Sequence, residues 1–226
     1  MGPGGTESTQ QSERQDPFEF GRAYFEPEVA ERYGRQHLLG SRRLSHARES
    51  RIIARLIGPA PEAGRSIVLD APSGSGRFAA VLHELGYRVI GLDRAATMTC
   101  QASESGCDAV VTGSIKELPF IDGAIDAMIC VRFLHHLPGR EERVACLQEM
   151  RRITRGPIVV TAWITNPLVW MRRARKPRDG TRFLISRREL RATLDAAGLR
   201  VVRRIAHVPI WSPIVYYRLE PTAKSG

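Results

Sequence analysis

Residues 68–79, Val68-Leu69-Asp70-Ala71-Pro72-Ser73-Gly74-Ser75-Gly76-Arg77-Phe78-Ala79, decide the fold. An apolar run, Ile67-Val68-Leu69, has the character of a buried strand and ends in a carboxylate, Asp70. A Gly74-x-Gly76 loop follows. After it, Phe78, Val81, Leu82 and Leu85 recur at i, i+3, i+4 and i+7, the apolar stripe of a helix. Gly86 stands where a left-handed helix cap belongs. Such a strand–glycine loop–helix unit brings backbone N–H groups close to a ligand, because glycine has no Cβ to hold it away.

The loop alone leaves the ligand open. Gly74-Ser75-Gly76-Arg77-Phe78-Ala79 also satisfies the G-x-G-x-x-A pattern of dinucleotide sites. A pyrophosphate there would lie beside the negative Asp70. A ligand with an ammonium and a sulfonium would be attracted, and S-adenosylmethionine has that charge pattern. Tyr87 to Leu92 reads as a second strand ending in Asp93, whose carboxylate can accept from two adjacent ribose hydroxyls. Asp93 serves NAD and S-adenosylmethionine equally. Arg94 beside it suits an NADP 2′-phosphate, so an NAD(P)-binding oxidoreductase stays an alternative.

The sequence resembles the class I S-adenosylmethionine-dependent methyltransferases, in particular the small bacterial type similar to quinone-biosynthesis methyltransferases. Val68 to Phe78 is similar to the family's first motif, and Gly91-Leu92-Asp93 to its second. Gly113-Ser114 with Leu118-Pro119-Phe120 is similar to the third, and Asp126 to Pro138, with Leu134-His135-His136-Leu137-Pro138, to the segment after the fourth strand. Two positions depart from the family. Pro72 replaces the first glycine of its triplet, and Ser114 stands where many members have an acid facing the adenine amino group. The resemblance implies S-adenosyl-L-methionine as cofactor, bound by Asp70, Pro72, Gly74, Gly76, Asp93, Arg94, Met98, Gly113, Ser114, Ile115 and Val131. Met98 is read as an adenine flank or as core.

The rest of the chain alternates strand and helix. Strands are expected near 67–70, 87–92, 107–112, 124–131 and 157–163, which implies a parallel sheet with right-handed crossovers. Ser186-Arg187-Arg188-Glu189 is a capping box opening a helix through Ala197, closed by Gly198. Arg200 to Trp211 and Ile214 to Leu219 read as two closing strands. The expected fold is thus α/β: a Rossmann-like, doubly wound, mostly parallel sheet with a C-terminal antiparallel hairpin and an N-terminal helical lid. Three stretches are expected: a disordered tail over 1–17, the lid over 18–62, and the binding domain over 63–220 with a basic insertion at about 164–185. The lid's buried stripe is Leu44, Ile52, Ile53 and Leu56, and Gly58 stops its helix.

Composition fits a soluble enzyme of 226 residues. No run of about 18 apolar residues suggests a transmembrane helix. The amino terminus lacks a signal-peptide pattern, and a cytoplasmic location is expected. Cys100, Cys107, Cys130 and Cys146 show no C-x-x-C pairing, so reduced thiols are expected and no metal site. The formal net charge is +10, and lysine occurs only at Lys116, Lys176 and Lys224, arginine making up the other basic residues. Much of the excess falls between Met171 and Arg191.

Acceptor chemistry is the least legible part. His135, His136 and Tyr33 are catalytic candidates. Neighbouring side chains at the start of a helix diverge by about 100°, so at most one of the two histidines is expected to face the methyl group. Tyr24, Tyr33, His37, Arg132, Trp170 and Arg172 are substrate candidates. An apolar patch, Leu168 to Met171, runs directly into Arg172, Arg173, Arg175 and Lys176. That suits a small or lipid-like acceptor with an acidic group, methylated on oxygen or carbon, or docking at an anionic membrane surface. The positive charge invites RNA, but the chain carries no recognisable RNA-binding module or stacking face, which argues against nucleic acid. A noncatalytic S-adenosylmethionine-binding scaffold is a further alternative.

Overall fold

A seven-stranded sheet in the order β3-β2-β1-β4-β5-β7-β6 organises the molecule. A computed structural model describes residues 25, 26, 28, 29, 40–165 and 182–222. Its strands are β1 (Ile67–Asp70), β2 (Arg88–Asp93), β3 (Ala109–Thr112), β4 (Ala127–Cys130), β5 (Ile158–Trp163), β6 (Leu199–Ala206) and β7 (Ile214–Pro221). The first five pair in parallel, while β7 runs antiparallel to both β5 and β6. Among the described residues the α-helices are α1 (Gly40–Ile57), α2 (Ala79–Glu84), α3 (Ala96–Glu104), α4 (Arg140–Ile153) and α5 (Arg187–Ala196).

The short apolar runs read as strands because each is covered on both faces. Alternation along β1 sends Val68 and Leu69 to opposite sides of the sheet, and both are fully buried. Leu69 belongs to the core layer that also holds Cys146, Leu147, Met150 and Ile153 of α4 and Leu190 and Leu194 of α5. Val68 belongs to the opposite core layer, which holds Ile52, Ile53, Leu56 and Ile57 of α1 and Ala79 and Leu82 of α2. Burying each such aliphatic side chain contributes roughly 1.5–3 kcal/mol, so α1 is held by packing on the sheet rather than by intrinsic propensity.

Local signals end the elements where the sequence places them. Gly58 and Gly86 adopt φ of +79° and +88° directly after α1 and after the α2 segment. Ser186 caps α5, its Oγ accepting from Glu189 N–H at 3.0 Å. The capping box is only half made, because the Glu189 carboxylate turns instead to the buried Arg143. Two expectations need correction. Leu44 points to solvent at 75% exposure rather than into the stripe of α1, since the helix is only partly covered at its start. The strand expected to Trp211 ends at Ala206; beyond it Ile210 takes φ +67° in a loop that exposes Trp211.

The sheet order reverses at β1, which has β2 on one side and β4 on the other. In open parallel sheets the crevice beyond the strand ends at this switch point is where ligands bind. Cys107, Cys130 and Cys146 are buried and Cys100 is exposed, all as free thiols; burial pushes the Cys107 and Cys146 thiols up to about 12. Among the described residues no helix is long and apolar enough to cross a membrane, and no cluster of three metal-ligating side chains occurs.

Candidate functional site

A cavity of about 610 Å³ opens at the switch point, above the carboxyl ends of β1, β2, β4 and β5 and beside α1. Its size is that of a small-molecule site. The glycine loop forms one wall. Gly74 adopts φ +53°, and its N–H donates to Asp93 Oδ2 at 2.9 Å, joining the loop after β1 to the tip of β2. Asp93 Oδ1 accepts from Ala95 N–H at 3.1 Å. Burial pushes the Asp93 carboxyl upward, opposed by the N–H groups of Ala95, Gly74 and Arg94 and by the Arg94 charge.

Most of the expected donor-site residues meet at this cavity. Pro72, Gly74, Asp93 and Arg94 line it from the loop and the tip of β2. Met98, Gly113, Ile115 and Val131 line it from α3 and the ends of β3 and β4. Three do not reach the wall. Gly76 turns toward α3: it has φ +71°, and a Cβ there would stand 2.8 Å from Ala102 Cα, so its glycine serves close packing. Ser114 closes a turn, its Oγ accepting from Lys116 N–H at 3.2 Å. Asp70 lies beneath the loop at 1% exposure, outside the cavity lining.

Asp70 is nevertheless unusual. Neither carboxylate oxygen has a hydrogen-bond partner among the described residues. Burial pushes its carboxyl up to about 8, against the pull of Arg77 and with added repulsion from Asp93. A buried carboxylate left so is costly, and a nearby positive charge would relieve that cost.

The other half of the cavity carries rings and cations. His135 and His136 belong to a three-residue 3₁₀ turn, Leu134–His136, rather than to the start of an α-helix. Both line the cavity, with ring centroids 4.1 Å apart. His135 stacks on Trp163 at 4.4 Å and 16°, and the Arg182 guanidinium lies 5.6 Å from the Trp163 ring centroid. Arg132 lines the wall just past β4 in a left-handed conformation, φ +61°, and its side chain ion-pairs with Glu49 of α1. Tyr24, Tyr33, His37, Trp170 and Arg172 lie outside the described residues, as do the 1–17 tail and most of the basic insertion.

Sequence reading missed several wall residues. Trp163 ends an apolar strand and looks like core. Arg42 and His46 sit in an arginine-rich helix that looks like surface. Glu49, in the same helix but behind the wall, carries no sequence mark of burial, yet it is fully buried.

Comparison with known proteins agrees with this geometry. Residues 69–157 match a family model described as a methyltransferase domain. Over 100 residues the chain is 33% identical to a tRNA (carboxymethyluridine(34)-5-O)-methyltransferase of Xenopus tropicalis, covering 43% of this chain and 15% of that protein. Over 103 residues it is 35% identical to the demethylmenaquinone methyltransferase of Beutenbergia cavernae, covering 44% and 42%. The matched stretch thus spans less than half the length of these curated relatives. Among solved structures, the magnesium protoporphyrin IX methyltransferase of Synechocystis PCC 6803, with bound S-adenosylhomocysteine, superposes with a TM-score of 0.70. It is 18% identical, covering 90% of this chain and 99% of that one. The fold is the Rossmann-like methyltransferase fold.

Proposed function

We propose that this chain is an S-adenosylmethionine-dependent methyltransferase of class I acting on a small-molecule or lipid-like acceptor, on oxygen or carbon. The observation that carries the reading is the cradle in which Gly74 anchors Asp93 at the switch point, above the unpartnered carboxylate of Asp70. A cationic donor above Asp70 would favour its ionised form, whereas a pyrophosphate beside Asp70 and Asp93 gains nothing from either, which weighs against the dinucleotide reading. The match over residues 69–157 supports catalysis over a binding scaffold.

In this reading Asp93 accepts from the two ribose hydroxyls, and Met98 and Ile115 flank the adenine. The Ser114 hydroxyl accepts from Lys116 N–H within its own turn and keeps a donor and a lone pair for the adenine edge. S-adenosylmethionine supplies a methyl carbon already activated by the sulfonium. The chain's own contribution is to hold an acceptor atom in line with that carbon and to keep water away. His135 and His136 stand on the acceptor side, where a neutral imidazole can take a proton from a hydroxyl or carbon acid. Trp163 lines the cavity beside His135, and the apolar surface it adds to the wall suits an apolar acceptor. The likeness to a demethylmenaquinone methyltransferase supports a quinone-like ring. Docking at an anionic membrane surface rests on residues of the insertion outside the described set.

RNA is the second reading, favoured by the likeness to a tRNA methyltransferase and by the net charge of +10. Incubation with methyl-labelled donor and a fractionated extract decides between them. Label is expected in the organic-extractable fraction, and Trp163→Ala should lower it while donor binding persists. Label confined to RNA overturns the small-molecule acceptor.

A further inference from the structure

Glu49 of α1 is fully buried, and its carboxylate lies between two guanidinium groups from distant parts of the chain. Arg77 Nη1 meets Glu49 Oε2 at 2.5 Å, and Arg132 meets Oε1. Arg77 follows the glycine loop. Arg132 follows β4, with its N–H donating to Thr161 Oγ1 at 2.6 Å. Both arginines line the cavity, whereas Glu49 stands behind them, outside its lining. Burial pushes the Glu49 carboxyl upward, but the charges and hydrogen bonds of Arg77 and Arg132 outweigh it, so the group is held below the usual carboxylate range and is ionised.

Arg77 and Arg132 are, among the described residues, two of the five arginines that line the cavity, and a sulfonium bound there meets an electrostatic difficulty. Each unit of positive charge near the donor disfavours it, and the effect is large where water is excluded. Glu49 offsets one of the two charges from behind and fixes both arginines in place. Its helix lies outside the 69–157 stretch that matches the methyltransferase model.

We propose that Glu49 is a positioning residue that, by ion-pairing Arg77 and Arg132 from behind the wall, sets the cavity's preference for a sulfonium donor over its neutral thioether product. The proposal rests on the S-adenosylmethionine reading above. Donor and product share the adenosine, the amino group and the carboxylate, and differ only in one methyl group and one positive charge. A change of charge in the wall therefore appears in the ratio of their affinities, while damage to packing moves both together.

Titration calorimetry of the full chain with S-adenosylmethionine and S-adenosylhomocysteine tests this, with thermal melts to confirm folding. Glu49→Gln should shift the affinity ratio toward the thioether by about tenfold, roughly 1.4 kcal/mol. Glu49→Asp should recover most of the preference. Arg77→Met, which removes a cation and leaves Glu49 charged, should shift the ratio the other way, and it carries the test alone if Glu49→Gln fails to fold. Equal changes for both ligands in Glu49→Gln and in Arg77→Met overturn the proposal while leaving the donor reading intact. A wild-type chain that binds neither ligand overturns both.

Discussion

The backbone N–H of Gly74 donates to the Asp93 carboxylate at 2.9 Å, so the loop after β1 and the tip of β2 form one rigid unit. The bond uses one side of Oδ2, and the carboxylate keeps acceptor capacity toward the cavity that Asp93 lines. Substitution of Asp93 therefore removes the anchor of the loop together with the proposed ligand acceptor.

For Asp93→Ala, donor affinity should fall by about a hundredfold, since hydrogen bonds to a charged group contribute roughly 1.5–3 kcal/mol each. Calorimetry with S-adenosylhomocysteine reads this directly. Affinity within a factor of three of wild type would remove Asp93 from the donor site.

Gly76 plays a different part. With φ +71° and Ala102 Cα at 2.8 Å from any added Cβ, Gly76→Ala should destabilise the fold by ~2–5 kcal/mol. Chemical denaturation measures the loss. A variant as stable as wild type with reduced donor affinity would instead make Gly76 a ligand contact.

Asp70 should couple donor binding to pH. Its carboxyl is raised from 3.8 to about 8 by burial, with Arg77 opposing and Asp93 reinforcing. The folded, ligand-free chain thus holds this proton more tightly than the unfolded chain does. The resulting stabilisation is complete below about pH 4 and is lost as pH rises through 8. Asp70→Asn should raise the melting temperature by several degrees at pH 8.5 and change little near pH 4. A cation bound above Asp70 favours its ionised form, so donor affinity should increase from about pH 6 to pH 9 in wild type and stay flat in Asp70→Asn. Equal pH slopes in the two proteins would take Asp70 out of donor recognition.

Much of this site was legible because local sequence and global fold agree along 67–93. The apolar run, the two glycines, the amphipathic stripe and Asp93 each force a local conformation, and together these specify the crevice. Ser186 and Gly198 mark α5 for the same reason. Burial of charge was not legible. Glu49 lies among Arg42, Arg43, Arg48, Arg51 and Arg55, and one turn of a polar helix does not reveal which residue faces two distant guanidinium groups. Nor did periodicity reveal that Asp70 points under the loop, since that depends on how the loop folds back over the strand. For the histidine pair the sequence suggests a helix start, whereas Leu134–His136 forms a 3₁₀ turn at a cavity lined by both residues.

In the proposed function the crevice between β1 and β4 holds S-adenosylmethionine. The most direct test is calorimetry of the wild-type chain against S-adenosylmethionine, S-adenosylhomocysteine, NADH and NADPH in one buffer at pH 8. Saturable one-site binding of both sulfur ligands is expected, abolished or strongly weakened by Asp93→Ala, with no binding of either dinucleotide. Binding of NADH or NADPH with no response to either sulfur ligand would contradict the proposed function.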